Sequence, residues 1–267
     1  MGSGWEDWEW DPTLFEGAAA YYERGRLPYA AGLADAMAGA LGLDGSGRLL
    51  DVGCGPGTIA LRLAHLFDSV VGLDPDAGML AEAQRLAIER GINNASWAHR
   101  RAEELPADLG TFRVVTFAAS FHWMDRPTVF AAVRDMLGPG GAVVHIDSGH
   151  QNIAARYKEV VAELRRKYLG PDIRAGQSVR NTSPGDEDDV FRAAGFTGPE
   201  RVRVAEDPFV DRTVDDIVAE TFSSSSTAPH LLGDRLDDFE AELREALRAV
   251  PLRVELPDNE LKIWRKS

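Results

Sequence analysis

The chain has 267 residues, 44% of them apolar, with 29 basic side chains against 43 acidic ones and a single cysteine. The formal charge of −14 repels a phosphate backbone, so no nucleic-acid partner is expected, and one cysteine excludes a disulfide within the chain. No apolar run reaches the roughly 20 residues of a membrane span, and residues 1–10 are acidic and aromatic, unlike a basic-plus-apolar leader, so the expectation is a cytoplasmic protein with no membrane partner.

Taken in order, a helical stretch over Tyr21–Leu41, broken near Pro28, leads to a first strand at Arg48–Val52. A helix from Thr58 to about Phe67 follows, with Ile59, Leu63 and Leu66 on one stripe and Thr58 able to cap it. A second strand spans Val70–Leu73, and the next helix, Ala77–Arg90, ends where Gly91 can turn left-handed. A short third strand is expected near Ala95–His99 and a fourth at Phe112–Ala118. Pro127 opens a helix that Gly138 ends, and Gly140-Gly141 turns into a fifth strand at Ala142–Ile146. The alternation predicts an α/β protein with a parallel sheet covered on both faces.

Beyond residue 150 the pattern loosens. The expectations are a helix at Asn152–Leu169, a polar loop at Gly170–Gly185, a short helix before Gly195 and a strand at Arg201–Val204. A helical region over Val214–Val250, interrupted by Ser223–Ser226, precedes a last strand at Leu261–Arg265. The length suits a single domain over 1–267, with a helical cap at 1–45 and helical insertions over the site within 151–250.

The first strand runs into Asp51-Val52-Gly53-Cys54-Gly55-Pro56-Gly57, and a second acid, Asp74, ends the next apolar run. Three glycines two residues apart clear the main chain for a bound ligand. Dinucleotide loops use G-x-G-x-x-G. The spacing here is G-x-G-x-G, and Asp51 before it suits a cationic group better than a pyrophosphate. Cys54 reads as a small buried filler.

These residues resemble the first motif of the class I S-adenosylmethionine (SAM) dependent methyltransferases. The resemblance continues in order through Gly72–Asp76, Arg101–Pro106, Phe121–Asp125 and Leu137–Gly141, covering roughly residues 20–150. It implies a Rossmann-like, doubly wound, seven-stranded sheet, mostly parallel with the last strand antiparallel, carrying N-terminal helices and helical lid insertions. Ser120-Phe121-His122-Trp123 and Arg26-Leu27-Pro28-Tyr29 resemble the trans-aconitate methyltransferase-like, small-molecule branch.

By that resemblance SAM is the cofactor, and the partner is a small-molecule methyl acceptor, most naturally at oxygen, with no oligomeric state implied. Gly53, Gly55 and Gly57 would line the methionine and ribose, beside Asp51 and Ser120, and Asp74 would accept from both ribose hydroxyls. Pro75, Met79, Ala102 and Glu103 would flank the adenine, although Arg101 stands where the family often has an acid. Arg26, with its fixed fork, is the candidate for the methionine carboxylate, and Tyr21, Tyr29, His122 and Trp123 for the acceptor. His122 is the candidate general base, since a neutral imidazole can take a proton near pH 7.

Two other readings stand beside it: a SAM-binding protein that does not methylate, and a nicotinamide-dependent oxidoreductase, which the glycine spacing disfavours. His145, Asp147 and His150 carry metal-ligating side chains but lack a further ligand, so no metal is expected. Trp5, Trp8 and Trp10 either fasten the terminus or form a flap over an apolar acceptor.

Overall fold

A computed structural model describes residues 11–150, 153–175, 178–179, 187–205 and 207–266. Trp5, Trp8, Trp10 and Asn152, where a helix was expected to begin, lie outside the described residues. The described residues divide into two compact units, one drawn from those within 29–149, 182–206 and 258–267 and the other from those within 1–28, 150–181 and 207–257.

The first unit is α/β. Its strands are β1 (Arg48–Val52), β2 (Ser69–Asp74), β3 (Ala95–His99), β4 (Phe112–Ala118), β5 (Leu137–Asp147), β6 (Phe196–Val204) and β7 (Asn259–Lys266). Its helices are α1 (Leu33–Leu41), α2 (Thr58–Leu63), α3 (Ala77–Glu89), α4 (Arg126–Met136) and α5 (Glu187–Ala193). Among the described residues the seven strands form one sheet in the order β3-β2-β1-β4-β5-β7-β6. β1 is parallel to β2 and β4, and β7 runs antiparallel to both β5 and β6. The order reverses between β1 and β4, and in open α/β sheets ligands bind beyond the carboxyl ends of the strands at such a point.

The sequence of β1 explains its central place. Leu49, Leu50 and Val52 are fully buried, as a parallel strand covered on both faces requires. Leu50 and Val52 join one apolar layer with Val115, Phe117 and Phe130, while Leu49 joins the opposite layer with Ile59, Leu63 and Met37. Side chains alternate, so Asp51 shares the face of Leu49 and turns toward α2.

Several expected boundaries change. The break expected near Pro28 is present, between helix Ala19–Gly25 and α1, but Thr58 opens α2 without capping it, because Gly57 is the N-cap and no side chain bonds there. The helix expected to reach Phe67 ends at Leu63 and tightens into a 3₁₀ turn. β5 starts at Leu137, opposite Phe112, and Gly138–Gly141 is an irregularity within the strand rather than a turn before it. β6 begins at Phe196, five residues early, because an edge strand tolerates Pro199, whose missing N–H costs no ladder bond.

The second unit is built mainly of helices: Ala19–Gly25, Arg156–Leu169, Val214–Phe222, Pro229–Leu232 and Leu236–Leu247. The expected helical region 214–250 is therefore three helices. Phe209–Asp211 pairs antiparallel with Arg253–Glu255, and the expected polar loop holds a short pair, Arg174–Ala175 with Ser178–Val179. Tyr157, Ile217, Phe222, Phe239, Leu243 and Val254 make its apolar core. Gly25 lets helix Ala19–Gly25 lie directly on Val214–Phe222, since a Cβ there would stand 2.4 Å from the Ala219 carbonyl group.

Candidate functional site

The site forms at the carboxyl ends of β1, β2 and β4. After Val52 the chain doubles back, and the N–H groups of Gly53 and Cys54 both donate to the Leu73 carbonyl, at 2.8 and 3.0 Å. Gly53, Gly55 and Gly57 all take positive φ, +69°, +53° and +80°. At Gly53 the requirement is close approach, because a Cβ would lie 2.4 Å from Ser120 Cβ. At Gly55 it is the reverse: a Cβ would meet no atom within 4 Å among the described residues. The turn thus rests on the protein at one glycine and offers bare main chain to open space at the next.

Asp74 is tied into the same turn. Its Oδ2 accepts from the Gly55 N–H at 2.8 Å and its Oδ1 from the Asp76 N–H at 2.9 Å. Asp76 caps α3 by accepting from the Met79 N–H, which sets Pro75 and buried Met79 beside Asp74. Asp51 is buried beneath the turn, accepting from Thr116 Oγ1 at 2.8 Å and from the Ala60 N–H at 3.1 Å. Neither acid forms an ion pair among the described residues.

Burial sets the electrostatics. It pushes the Asp51 carboxyl up to about 7, against the two bonds that favour its charge, and the charge of Asp74 adds to the rise. Burial likewise raises Asp74 to about 6, opposed by the N–H groups of Asp76 and Gly55. Cys54, between the glycines, donates to the Gly55 carbonyl and has its thiol pushed well up by burial, which makes it inert packing rather than a nucleophile. Two buried acids with no ion-pair partner among the described residues make this turn a place where a positive ligand is favoured.

The third wall is the turn after β4. Ala119 takes φ +54°, bending the chain out of the sheet. Ser120 is buried and donates to the Val52 carbonyl at 2.7 Å, Phe121 stacks into the aromatic core with Phe130 and Phe191, and Arg126 lies 4.7 Å over the Phe121 ring. Between these buried anchors His122 and Trp123 stay half-buried, with ring centroids 4.7 Å apart.

Ala102 is buried in the 3₁₀ turn after β3. Glu103 accepts from the Asp125 N–H at 2.9 Å and its other oxygen meets Arg101 Nε at 3.3 Å, so it joins the turn after β3 to the start of α4.

The α/β unit thus gathers Asp51, Gly53, Gly55, Gly57, Asp74, Pro75, Met79, Ala102, Glu103, Ser120, His122 and Trp123 at the carboxyl ends of β1–β4. Tyr29, also of this unit, is half-buried against the apolar layer that holds Ile59 and Ala60. Arg26 and Tyr21 belong to the helical unit. There Arg26 is exposed, donates to the Ser223 carbonyl at 2.6 Å and lies 4.6 Å over Tyr22, while Tyr21 meets Phe222 edge-on at 5.2 Å. His145 is buried against Phe121, and Asp147 accepts from the Gly149 N–H.

Two supporting residues escaped the sequence reading. Thr116 holds Asp51, and nothing in a β4 pattern marks it. Trp97 of β3 lies against the turn, its ring within 2.5 Å of where a Gly72 Cβ would be and 2.8 Å of a Gly57 Cβ. A glycine inside an apolar strand was the available signal for it.

The sheet order, the glycine turn and the carboxylate after β2 define a Rossmann-like fold of the class I methyltransferase type. Residues 49–141 match the family described as "Methyltransferase domain". In fold and in the order of its motifs the α/β unit is similar to the class I methyltransferases over these residues. The uncharacterized methyltransferase Rv3342 of Mycobacterium tuberculosis is 32% identical over 127 residues, 48% of this chain and 49% of that protein. The chain spans about a third to a half of the length of the first curated relatives it matches. Among solved structures, the YcgJ protein of Bacillus subtilis superposes with a TM-score of 0.53 at 19% identity, covering 87% of this chain and 97% of that one. The [4+2]-cyclase SpnF does so at 0.52 and 23% identity, covering 88% and 79%. At these identities both speak to the fold alone.

Proposed function

We propose that the protein is a SAM-dependent methyltransferase that delivers a methyl group to an oxygen, hydroxyl or carboxylate, of a small-molecule acceptor by in-line displacement. The observation that carries this reading is the glycine turn, where Gly55 borders open space while its N–H is held by Asp74. SAM would supply the methyl group on a sulfonium, and the chain's task is to bind, align and desolvate. In this reading Gly53, Gly55 and Gly57 line the methionine and ribose, Asp51 supplies negative charge beneath the cation, Ser120 closes the edge of the turn, and Asp74 accepts from the ribose hydroxyls. Pro75, Met79 and Ala102 flank the adenine. Glu103, with both oxygens engaged, braces that wall. Arg26 for the methionine carboxylate, and Tyr21, Tyr29 and Trp123 for the acceptor, rest on the family resemblance.

His122 is assigned the proton. A hydroxyl acceptor gives it to an imidazole nitrogen as the new bond forms, whereas a carboxylate acceptor needs no base. For a hydroxyl acceptor, His122→Ala is expected to lower kcat roughly 100-fold while leaving SAM affinity within about twofold. Unchanged turnover would remove His122 from the chemistry.

The cofactor reading is tested by thermal shift with SAM, S-adenosylhomocysteine and NAD, since selective binding raises apparent stability. Stabilisation by NAD alone would defeat it. The fold of SpnF, whose description is that of a cyclase, keeps open a chain that binds SAM without methylating. Accumulation of S-adenosylhomocysteine with an acceptor panel separates the two.

The acids add a pH signature. Both carboxyls sit above their ordinary 3.8, so between about pH 4 and 7 the folded chain holds more protons than the unfolded one. Their contribution to stability is therefore greatest at low pH and is lost as pH rises through 6 and 7. Without ligand the Tm is expected to fall from pH 5 to pH 8, and Asp51→Asn should flatten that fall. A cation favours the ionised forms, so the thermal shift from SAM is expected to be larger at pH 8 than at pH 5.5.

A further inference from the structure

The two oxygens of Asp51 meet different kinds of group. Oδ2 accepts from the Ala60 N–H of α2 at 3.1 Å, and a main-chain N–H can only donate. Oδ1 accepts from Thr116 Oγ1 of β4 at 2.8 Å, and a hydroxyl can either donate or accept. A proton taken up by Asp51 therefore belongs on Oδ1, since on Oδ2 it would stand against the Ala60 N–H. Thr116 would then accept, and its own proton would have to turn elsewhere. The next acceptor for Oγ1 among the described residues, the Leu50 carbonyl, lies at 3.5 Å, well beyond the roughly 2.7–2.8 Å of a good O–H···O bond. Both side chains are buried, so only the ionised acid leaves both of its donors well bonded.

The neighbouring elements supply no cation to Asp51 among the described residues. Its register partners are Gly72 on β2 and Thr116 on β4. On the same face β2 carries Asp74, whose charge opposes that of Asp51, and β4 carries Val114 and Ala118. The single charged side chain of α2, Arg62, donates instead to the carbonyls of Tyr29 and Ala30. The Cys54 thiol in the turn is itself pushed well up and stays neutral. Burial raises the Asp51 carboxyl to about 7, and of the two hydrogen bonds that oppose the rise the one from Thr116 counts for more than the one from Ala60.

We infer that Thr116 is a positioning residue for charge: its hydroxyl proton, aimed at Asp51 Oδ1, lets the acid beneath the glycine turn ionise at neutral pH, and a proton taken up from water lands between these two oxygens. That the charge serves a bound sulfonium rests on the SAM reading, whereas the charge itself is a property of the ligand-free chain. Thr116 acts only through Asp51.

Carbon-13 signals of the aspartate side chains, followed from about pH 4 to pH 10 in the ligand-free full chain, test it in wild type, T116V, T116A and T116S, with D51N identifying the Asp51 signal by its loss. T116V and T116A are expected to move the Asp51 midpoint upward by at least about one pH unit, as the loss of one hydrogen bond to a charged group implies, while T116S stays within about half a unit of wild type. Because the folded carboxyl titrates above its ordinary value, its contribution to stability is lost as pH rises through the folded midpoint. A higher midpoint carries that loss to higher pH, so the Tm gap between T116V and wild type should widen from pH 5 to pH 9, and the gap between D51N and D51N/T116V should not. A packing contact alone would lower Tm equally at both. An Asp51 midpoint unmoved by T116V and T116A, an equal movement in T116S, or a Tm gap constant with pH would overturn the assignment. Should T116V fail to fold, T116A and T116S carry the same comparisons. A wild-type chain that takes no SAM defeats the cofactor reading instead, and the ligand-free titration still decides the role of Thr116.

Discussion

Replacing Asp74 by alanine is expected to weaken SAM binding about a thousandfold. Hydrogen bonds to a charged acceptor are worth about 1.5–3 kcal/mol each, and in the proposed site this carboxylate receives two from the ribose. The substitution also releases the Gly55 and Asp76 N–H groups that Asp74 now holds, so the turn loses the brace that faces it toward the ligand. Asn is no substitute: each Asp74 oxygen already accepts a main-chain N–H, and an amide would set its own N–H against one of them. Calorimetric titration with SAM reads the effect. A dissociation constant within threefold of wild type would remove Asp74 from the cofactor site.

The second large effect separates two glycines that the sequence presents as equivalents. Gly53→Ala is expected to cost about 3 kcal/mol of stability, lowering Tm by roughly 6–12 °C in a chain of this size. The left-handed backbone accounts for about 1 kcal/mol. The remainder comes from the Cβ placed 2.4 Å from Ser120 Cβ and 3.1 Å from Met124, which forces the turn after β4 outward and breaks the Ser120 bond to the Val52 carbonyl. At Gly55 the new methyl group meets no neighbour, so Gly55→Ala is expected to lose only about 1 kcal/mol of stability while weakening SAM at least about tenfold. One substitution is read in the melting curve, the other in the titration. Reversal of that pattern would mean that the ligand does not lie on the open side of Gly55.

The contrast also marks how far the sequence could be read. The strand–turn–helix carrying Asp51 to Gly57 was legible because apolar periodicity and the glycines agree on the same geometry, and Asp74 at the end of β2 followed from it. Which glycine supports the turn and which receives a ligand was not legible, since that depends on Ser120, which is 67 positions away in the chain. The role of Glu103 was hidden for the same reason: its partner is the Asp125 N–H, a main-chain group with no residue-type signature.

Boundaries failed where local rules met tertiary demands. Gly140-Gly141 reads as a turn and the strand at Arg201–Val204 was expected to begin after Pro199, yet both segments lie within strands, one in an irregularity opposite β4 and the other on a sheet edge where proline is tolerated. In the helical unit the pairing of Phe209–Asp211 with Arg253–Glu255 joins segments more than 40 residues apart and left no local pattern to find.

The fit of Trp97 onto Gly72 has an evolutionary corollary. The indole fills the volume a side chain at 72 would need, and the same ring reaches Gly57, so the three positions share a single allotment of space. Any descendant that enlarges residue 72 must surrender the indole in the same step, or the floor beneath the bend will buckle. Divergence at these sites should therefore proceed by paired exchange, bulk on β2 traded against bulk on β3.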